Sequence, residues 1–285
     1  MRLGDNECNA GFLAGPRHWM LAVVLGAALT LGACSSDDDA ELAYEERPVE
    51  QIYNKALEYL SNTKYRQAAA EFDEVERQHP YSQWARRAML MAAYCYYETN
   101  DYDSAILSAQ RFIGLHPGNE DAAYAYYLMG ISYYEQISDV GRDQAMTQNA
   151  LATLTEVVRR FPDSEYARDA RLKIDLTVDH LAGKEMEIGR YYLNQNSYIA
   201  AVNRFRTVVL QYQTTTHVPE ALHRLTEAYL SLGIVSEAQT AAAVLGHNFP
   251  GSDWYEDSYD LLAGNDLEPK ENQDSWISEA WKSVF

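Results

Sequence analysis

Seven histidines, three cysteines and 42 acidic side chains could serve this 285-residue sequence as nucleophiles, acids, bases or metal ligands, and their spacing assembles none of those sites. A helical zinc site asks for two His one turn apart, and redox chemistry asks for a Cys-x-x-Cys pair. Neither occurs, and no Gly-rich phosphate loop occurs either. His79 and His116 each precede a proline at the end of an expected helix, where an imidazole complements the helix dipole. The carboxylates read as solvated helix faces. No metal, cofactor or enzymatic activity is expected. What remains is recognition chemistry. The 22 tyrosines offer large rings with polar tips, and Arg66, Arg204 and Arg206 carry guanidinium groups that can grip a carboxylate with two parallel bonds. An excess of 42 acidic over 23 basic residues repels phosphate backbones and excludes nucleic acid as a partner.

A repeat positions these groups. Counting back from Pro80 by 5, 8, 12 and 15 residues gives Val75, Phe72, Ala68 and Tyr65. The same offsets from Pro117 give Phe112, Ala109, Ala105 and Tyr102, and from Pro162 give Val157, Leu154, Ala150 and Thr147. Gln213 replaces the proline in a fourth copy, with Val208, Phe205, Ala201 and Tyr198, and Pro250 closes a fifth with Leu245, Ala242, Ala238 and Val235. Spacings of three and four put these residues on one helical stripe. Upstream, a small residue followed three later by Tyr marks a first helix: Ala56/Tyr59, Ala93/Tyr96, Gly130/Tyr133, Gly189/Tyr192, with Thr226/Tyr229 keeping the spacing.

These frames resemble tetratricopeptide repeats, which implies an all-α superhelix of five helix-turn-helix units. Small residue and helix end lie 24 residues apart in four copies, but 32 separate Gly130 from Pro162, which predicts an insertion around residues 138–149. Residues 166–182 read as an added helix running on into 183–194. The expected organisation is two arms, repeats one to three over 49–165 and repeats four and five over 166–263, followed by a tail, 264–285. In that tail Trp276, Ile277, Ala280, Trp281 and Val284 form one face of a short amphipathic helix, expected to dock on the fifth repeat, the alternative being an anchor for a partner subunit or the membrane interface. In such a repeat stack, positions 2, 5, 9, 12 and 13 of the first helices line a groove. That frame places Tyr53, Arg87, Tyr94, Tyr97, Tyr124, Tyr127 and Tyr134 in a tyrosine-rich groove of the first arm. In the second arm it places Met186, Arg190, Leu193, Glu220 and His223.

The N-terminal residues predict export. Residues 19–31 form a 13-residue apolar run, the length of a signal-peptide core and short for a membrane span. Leu31-Gly32-Ala33-Cys34 resembles the lipobox of bacterial lipoproteins, implying removal of residues 1–33 and acylation of Cys34; Ser35 then favours sorting to the outer membrane. Residues 37–50 carry seven acidic groups and one Arg, so 34–48 reads as a solvated tether. Cys95 is left as a buried small hydrophobe on a helix.

A lipobox, an acidic tether, five repeats and an insertion in the third together resemble the BamD (ComL) family of outer-membrane assembly lipoproteins. The stretches YRQAAAEFDEVERQHPYSQWA from Tyr65, AYCYYETNDYDSAILSAQRFIGLHP from Ala93 and LAGKEMEIGRYYL from Leu181 carry the resemblance. It implies a lipid-anchored scaffold on the periplasmic face of the outer membrane that takes part in inserting β-barrel proteins. Its implied partners are a POTRA domain of the barrel protein BamA, other subunits of that complex, and unfolded barrel proteins. Carried over, it puts Arg204, with Arg206 and Arg190, at the BamA contact and Arg66 with the groove tyrosines at the client site. Other readings share repeats and compartment: a pilus-assembly lipoprotein or a Tol-Pal coordinator, and, further off, an enzyme acting on peptidoglycan.

Overall fold

The computed structural model describes residues 46–282; Cys34, the signal-like segment, most of the tether and Val284 lie outside them. From Arg47 the described chain is one compact unit. Its helices are α1 (Val49–Ser61), α2 (Tyr65–Gln78), α3 (Gln83–Glu98), α4 (Tyr102–Leu115), α5 (Ala122–Tyr134), α6 (Ala145–Arg160), α7 (Glu165–Asn194), α8 (Tyr198–Gln211), α9 (Val218–Ser231), α10 (Val235–Asn248), α11 (Asp253–Ala263) and α12 (Trp276–Lys282). No strand occurs among the described residues. Each of α1 to α10 packs on the helix that follows it, and α1, α3, α5 and α7 also touch side by side. The result is the two-layered helix-turn-helix stack of a tetratricopeptide-repeat protein, in which each pair buries its apolar stripe against its neighbours.

Packing follows the repeat register closely. The residues at offsets 5, 8 and 12 in all five second helices, from Val75, Phe72 and Ala68 through to Leu245, Ala242 and Ala238, are fully buried. Small residues at the first-helix markers let the layers close. A Cβ on Gly130 would come within 2.7 Å of Leu154, and one on Gly189 would overlap the Phe205 ring. Cys95 is fully buried on α3, and burial pushes its thiol up to about 12, which removes it as a nucleophile.

Turn and cap geometry repeats with the sequence. The residues ending the second helices, His79, His116, Phe161, Tyr212 and Phe249, share φ between −127° and −133° and ψ between 40° and 56°. Four of the five precede proline, whose ring disfavours helix in the residue before it. Tyr212 precedes Gln213 and adopts the same geometry, so packing enforces it where proline is absent. Between first and second helices the chain turns through a left-handed residue: Thr63, Asn100, Asn196 and Gly233, with φ from 56° to 74°. Asn and Gly suit that conformation, whereas Thr63 is β-branched and strained.

The insertion of the third repeat occupies residues 135–144, between α5 and α6, a few residues earlier than the sequence indicates; residues 145–149 are already helical. The added segment after Pro162 is continuous with the first helix of the fourth repeat, giving the 30-residue α7.

α11 is absent from the repeat pattern. It buries Ser258 and Leu262, packs half-buried Trp254 and Tyr255 on the core, and leaves its acidic residues to solvent. It packs on α9 and closes the end of the stack. The tail then turns back. Gln239 Nε2 on α10 donates to the Glu268 carbonyl (2.8 Å), and the Asn272 amide donates to Thr240 Oγ1 (3.1 Å). α12 settles against α10 and α8, with Trp276, Ile277 and Trp281 in the core of the last two repeats.

Candidate functional site

Two surfaces follow from this scaffold. The first is a linked set of half-buried tyrosines on α3, α5 and the start of α7. Tyr94, Tyr97, Tyr124 and Tyr127 all pack on the hydrophobic cluster built around Leu128, Ile131 and Leu154. Tyr166 in the first turn of α7 joins two of them, with its centroid 5.3 Å from Tyr124 and 5.2 Å from Tyr127, the latter pair stacked. Tyr94 meets Tyr65 edge-on at 6.2 Å, and Tyr97 tilts against Tyr102 at 5.8 Å. Such ring pairs contribute about 0.5–1.5 kcal/mol each beyond their burial and hold the rings in fixed poses.

The hydroxyls are anchored by carboxylates: Tyr127 donates to Asp169 Oδ2 (2.6 Å) and Tyr97 to Glu135 Oε1 (3.5 Å). Burial, reinforced by Glu98 and Tyr65, pushes Tyr94 up to about 12; burial, with Glu135, does the same for Tyr97. Tyr124 and Tyr127 are raised as well, chiefly by burial. All four are therefore neutral phenols near neutral pH: ring faces and O–H groups suited to a peptide, without a base or a nucleophile among them.

Tyr134 stands apart, beneath Lys173 Nζ at 4.9 Å, on a recess of about 330 Å³ shared with Ile137, Leu176 and His180. Tyr53 is not open to a ligand: it is 7% exposed and wedged between Phe72 and Trp84, because its helix face turns into the first-repeat core. Arg87 is exposed close enough to Tyr53 to oppose the effect of burial on its hydroxyl. Arg66 lines a different recess with Tyr96 and residues 99–101, so the structure does not bring it to the tyrosine set. Tyr166 escaped the sequence frame because it belongs to the helix added after the third repeat.

The second surface lies at α7 and α8. Arg204 Nη1 meets Glu185 Oε2 of α7 at 3.1 Å while remaining partly exposed, beside a recess lined by Tyr192, Ala200, Asn203 and Thr207. Tyr191 near the end of α7 and Ile199 in the first turn of α8 are 62% and 69% exposed, Tyr191 with its ring edge-on to Tyr192. Ile199 was legible in principle as an apolar residue off the buried stripe of Tyr198 and Ala201. Arg206, two residues on from Arg204 and therefore on the opposite side of α8, lays its guanidinium over the Trp276 ring at 4.7 Å. Arg190 binds both oxygens of Glu220 at 3.0 Å, bridging α7 and α9. The three arginines thus have three different environments rather than one patch.

The groove expected across the last two repeats is largely filled. Met186 and Leu193 are core residues, and His223 is buried under α11, with Nδ1 2.9 Å from Ser258 Oγ and its ring against Trp254. Burial, helped by Arg224, holds the His223 imidazole below its usual pKa. Among the described residues no group of His, Cys, Asp or Glu is arranged to hold a metal ion, and no helix is long and apolar enough to cross a membrane.

Comparison with known proteins agrees with this architecture. The family described as "YfiO: Outer membrane lipoprotein" matches residues 45–245. Curated relatives named outer membrane protein assembly factor BamD include one from Caulobacter vibrioides, 53% identical, covering 87% of this chain and 82% of the relative. A second, from Rickettsia prowazekii, is 44% identical over 85% of this chain and 96% of its own length. A third, from Neisseria meningitidis serogroup A, is 35% identical, covering 82% and 91%. Identity at this level over nearly the whole described region, on a five-repeat scaffold, establishes that the chain belongs to the BamD family of outer-membrane assembly lipoproteins.

Proposed function

We propose that the chain is a non-catalytic scaffold of outer-membrane β-barrel assembly, held to the periplasmic face of the membrane by an acylated Cys34. In this reading the α7–α8 surface binds a POTRA domain of BamA, and the tyrosine set receives unfolded barrel segments. The observation that carries it is the presence of two chemically different open surfaces on one compact stack. Neutral rings and phenol donors suit an extended chain of varied sequence, since each ring offers area at little entropic cost. Exposed Tyr191 and Ile199 on the same helix pair as a partly exposed Arg204 suit a folded partner with an acidic rim.

Arg204→Glu tests the second surface. It would set two carboxylates, Glu185 and the new one, where a partner carboxylate should approach. Co-purified BamA is expected to fall at least about tenfold, the loss of one charge-assisted contact plus repulsion. Glu185→Gln, which removes the internal pair but keeps the cation, should leave capture intact. Unchanged capture by Arg204→Glu would overturn this placement of the partner.

A further inference from the structure

We propose that the tyrosine set on α3, α5 and α7 selects extended segments that present a basic side chain, arginine ahead of lysine, held between the open ring faces and the Glu98 and Glu135 carboxylates. The inference rests on the reading of that set as the client surface and names the chemistry the surface prefers.

The rings alone would take any flat or apolar group, but their surroundings are not neutral. Burial raises the hydroxyls of Tyr94, Tyr97 and Tyr124, and the Glu98 carboxylate, one turn on from Tyr94, is near enough to raise all three further. Glu135, just past the end of α5, accepts from the Tyr97 hydroxyl at 3.5 Å. Both carboxylates are exposed, and among the described residues no Lys, Arg or His pairs with either. Acids elsewhere in the first arm are treated differently. Every carboxylate of α2 and α6 has a cationic partner within the chain: Glu71 with Arg47 and Lys55, Asp73 and Glu76 with Arg111, Glu74 with Arg77, and Glu156 with Arg159 and Arg160. The two beside the rings are left bare.

One cation of the chain shows how the surface holds such a group. Lys173 Nζ lies over the Tyr134 ring at 4.9 Å and meets Asp169 Oδ2 at 3.6 Å, the same oxygen that accepts from Tyr127. That pairing of ring and carboxylate satisfies the third acid of the set and leaves Glu98 and Glu135 for a cation from outside. Exposed Arg87 stands two turns before Tyr94 on α3, near Tyr53, and pairs with neither acid. A guanidinium suits the place better than an ammonium, because it is planar, weakly hydrated, and stacks on a ring while its N–H groups reach a carboxylate. Exposed contacts of either kind are weak singly, so the preference comes from ring and acids acting on one group.

The test uses the full chain and three fluorescent synthetic peptides of alternating Thr and Tyr that differ only in a central Arg, Gln or Glu. The Arg peptide is expected to bind about tenfold more tightly than the Gln peptide, and the Glu peptide more weakly still. Glu98→Gln/Glu135→Gln, two exposed changes outside the core, should bring the Arg and Gln peptides within about twofold and leave Gln-peptide affinity unchanged. Glu256→Gln/Asp260→Asn on α11 removes the same charge at the far end of the stack and should keep the full preference, which separates local recognition from general attraction to an acidic protein. Equal binding of the Arg and Gln peptides to the wild type, or an equal loss of preference in the α11 variant, would overturn the proposal. Tyr94→Leu/Tyr97→Leu separates it from the reading it rests on. If that variant loses all three peptides while the wild type binds Arg and Gln alike, the client surface stands and the basic preference falls. If it loses none, both fall.

Discussion

Phe205→Ala is expected to be the most damaging single truncation in the second half of the stack, costing roughly 3–5 kcal/mol. The ring is fully buried and lies on Gly189, which has no side chain to relax into the space. At about 2–4 °C per kcal/mol for a chain of this size, melting should fall by on the order of 10 °C. A sign change sharpens the test. In the wild type Gly189→Ala overpacks the α7–α8 seam and should cost roughly 1–3 kcal/mol, whereas in the Phe205→Ala background the added methyl partly fills the cavity and should restore stability. Denaturant unfolding of the four proteins measures the cycle. Additive effects would mean that the Gly189–Phe205 contact does not set the approach of these helices.

Cys34→Ser is expected to release the protein from the membrane almost completely. Each buried methylene of an acyl chain contributes about 0.8 kcal/mol, so two or three chains dominate every other membrane contact. No described helix is long and apolar enough to cross the bilayer in their place. Cys95 cannot substitute as the acylated residue, being fully buried with its thiol pushed up to about 12. Fractionation and intact-mass measurement read the outcome. A Cys34→Ser protein that stays in salt-washed membranes, or a wild-type chain without added mass at Cys34, would contradict lipid anchoring.

The buried half of this structure was legible in the sequence because its determinants are local. Ala68, Phe72 and Val75 and their counterparts recur at spacings of three and four, and every one is in the core. The end of the fourth repeat was legible despite Gln213, since the stripe of Ala201, Phe205 and Val208 fixes the register without a proline. The surfaces were less legible because they depend on which repeats face each other. Tyr53 looks like a groove residue by position, yet Trp84 of the next repeat closes over it. Tyr166 completes the tyrosine set only because the added helix starts beside α5. Arg206 reads as a free cation until the tail brings Trp276 under it, a contact across 70 residues that no period encodes. α11 was missed because four acidic residues of its eleven leave only Ser258 and Leu262 buried, with no recurrence of the repeat stripe.

The central claim is that the anchored chain is a barrel-assembly scaffold whose partners dock on its repeats. Its most direct test is affinity capture of the full-length, lipidated protein from solubilised outer membranes, with co-purifying proteins identified by mass spectrometry. The account predicts a POTRA-bearing barrel protein at near-stoichiometric amount, reduced at least about tenfold in the Arg204→Glu strain. Recovery of pilus-assembly, Tol-Pal or peptidoglycan-processing proteins at stoichiometric amount, with no POTRA-bearing barrel protein, would contradict it.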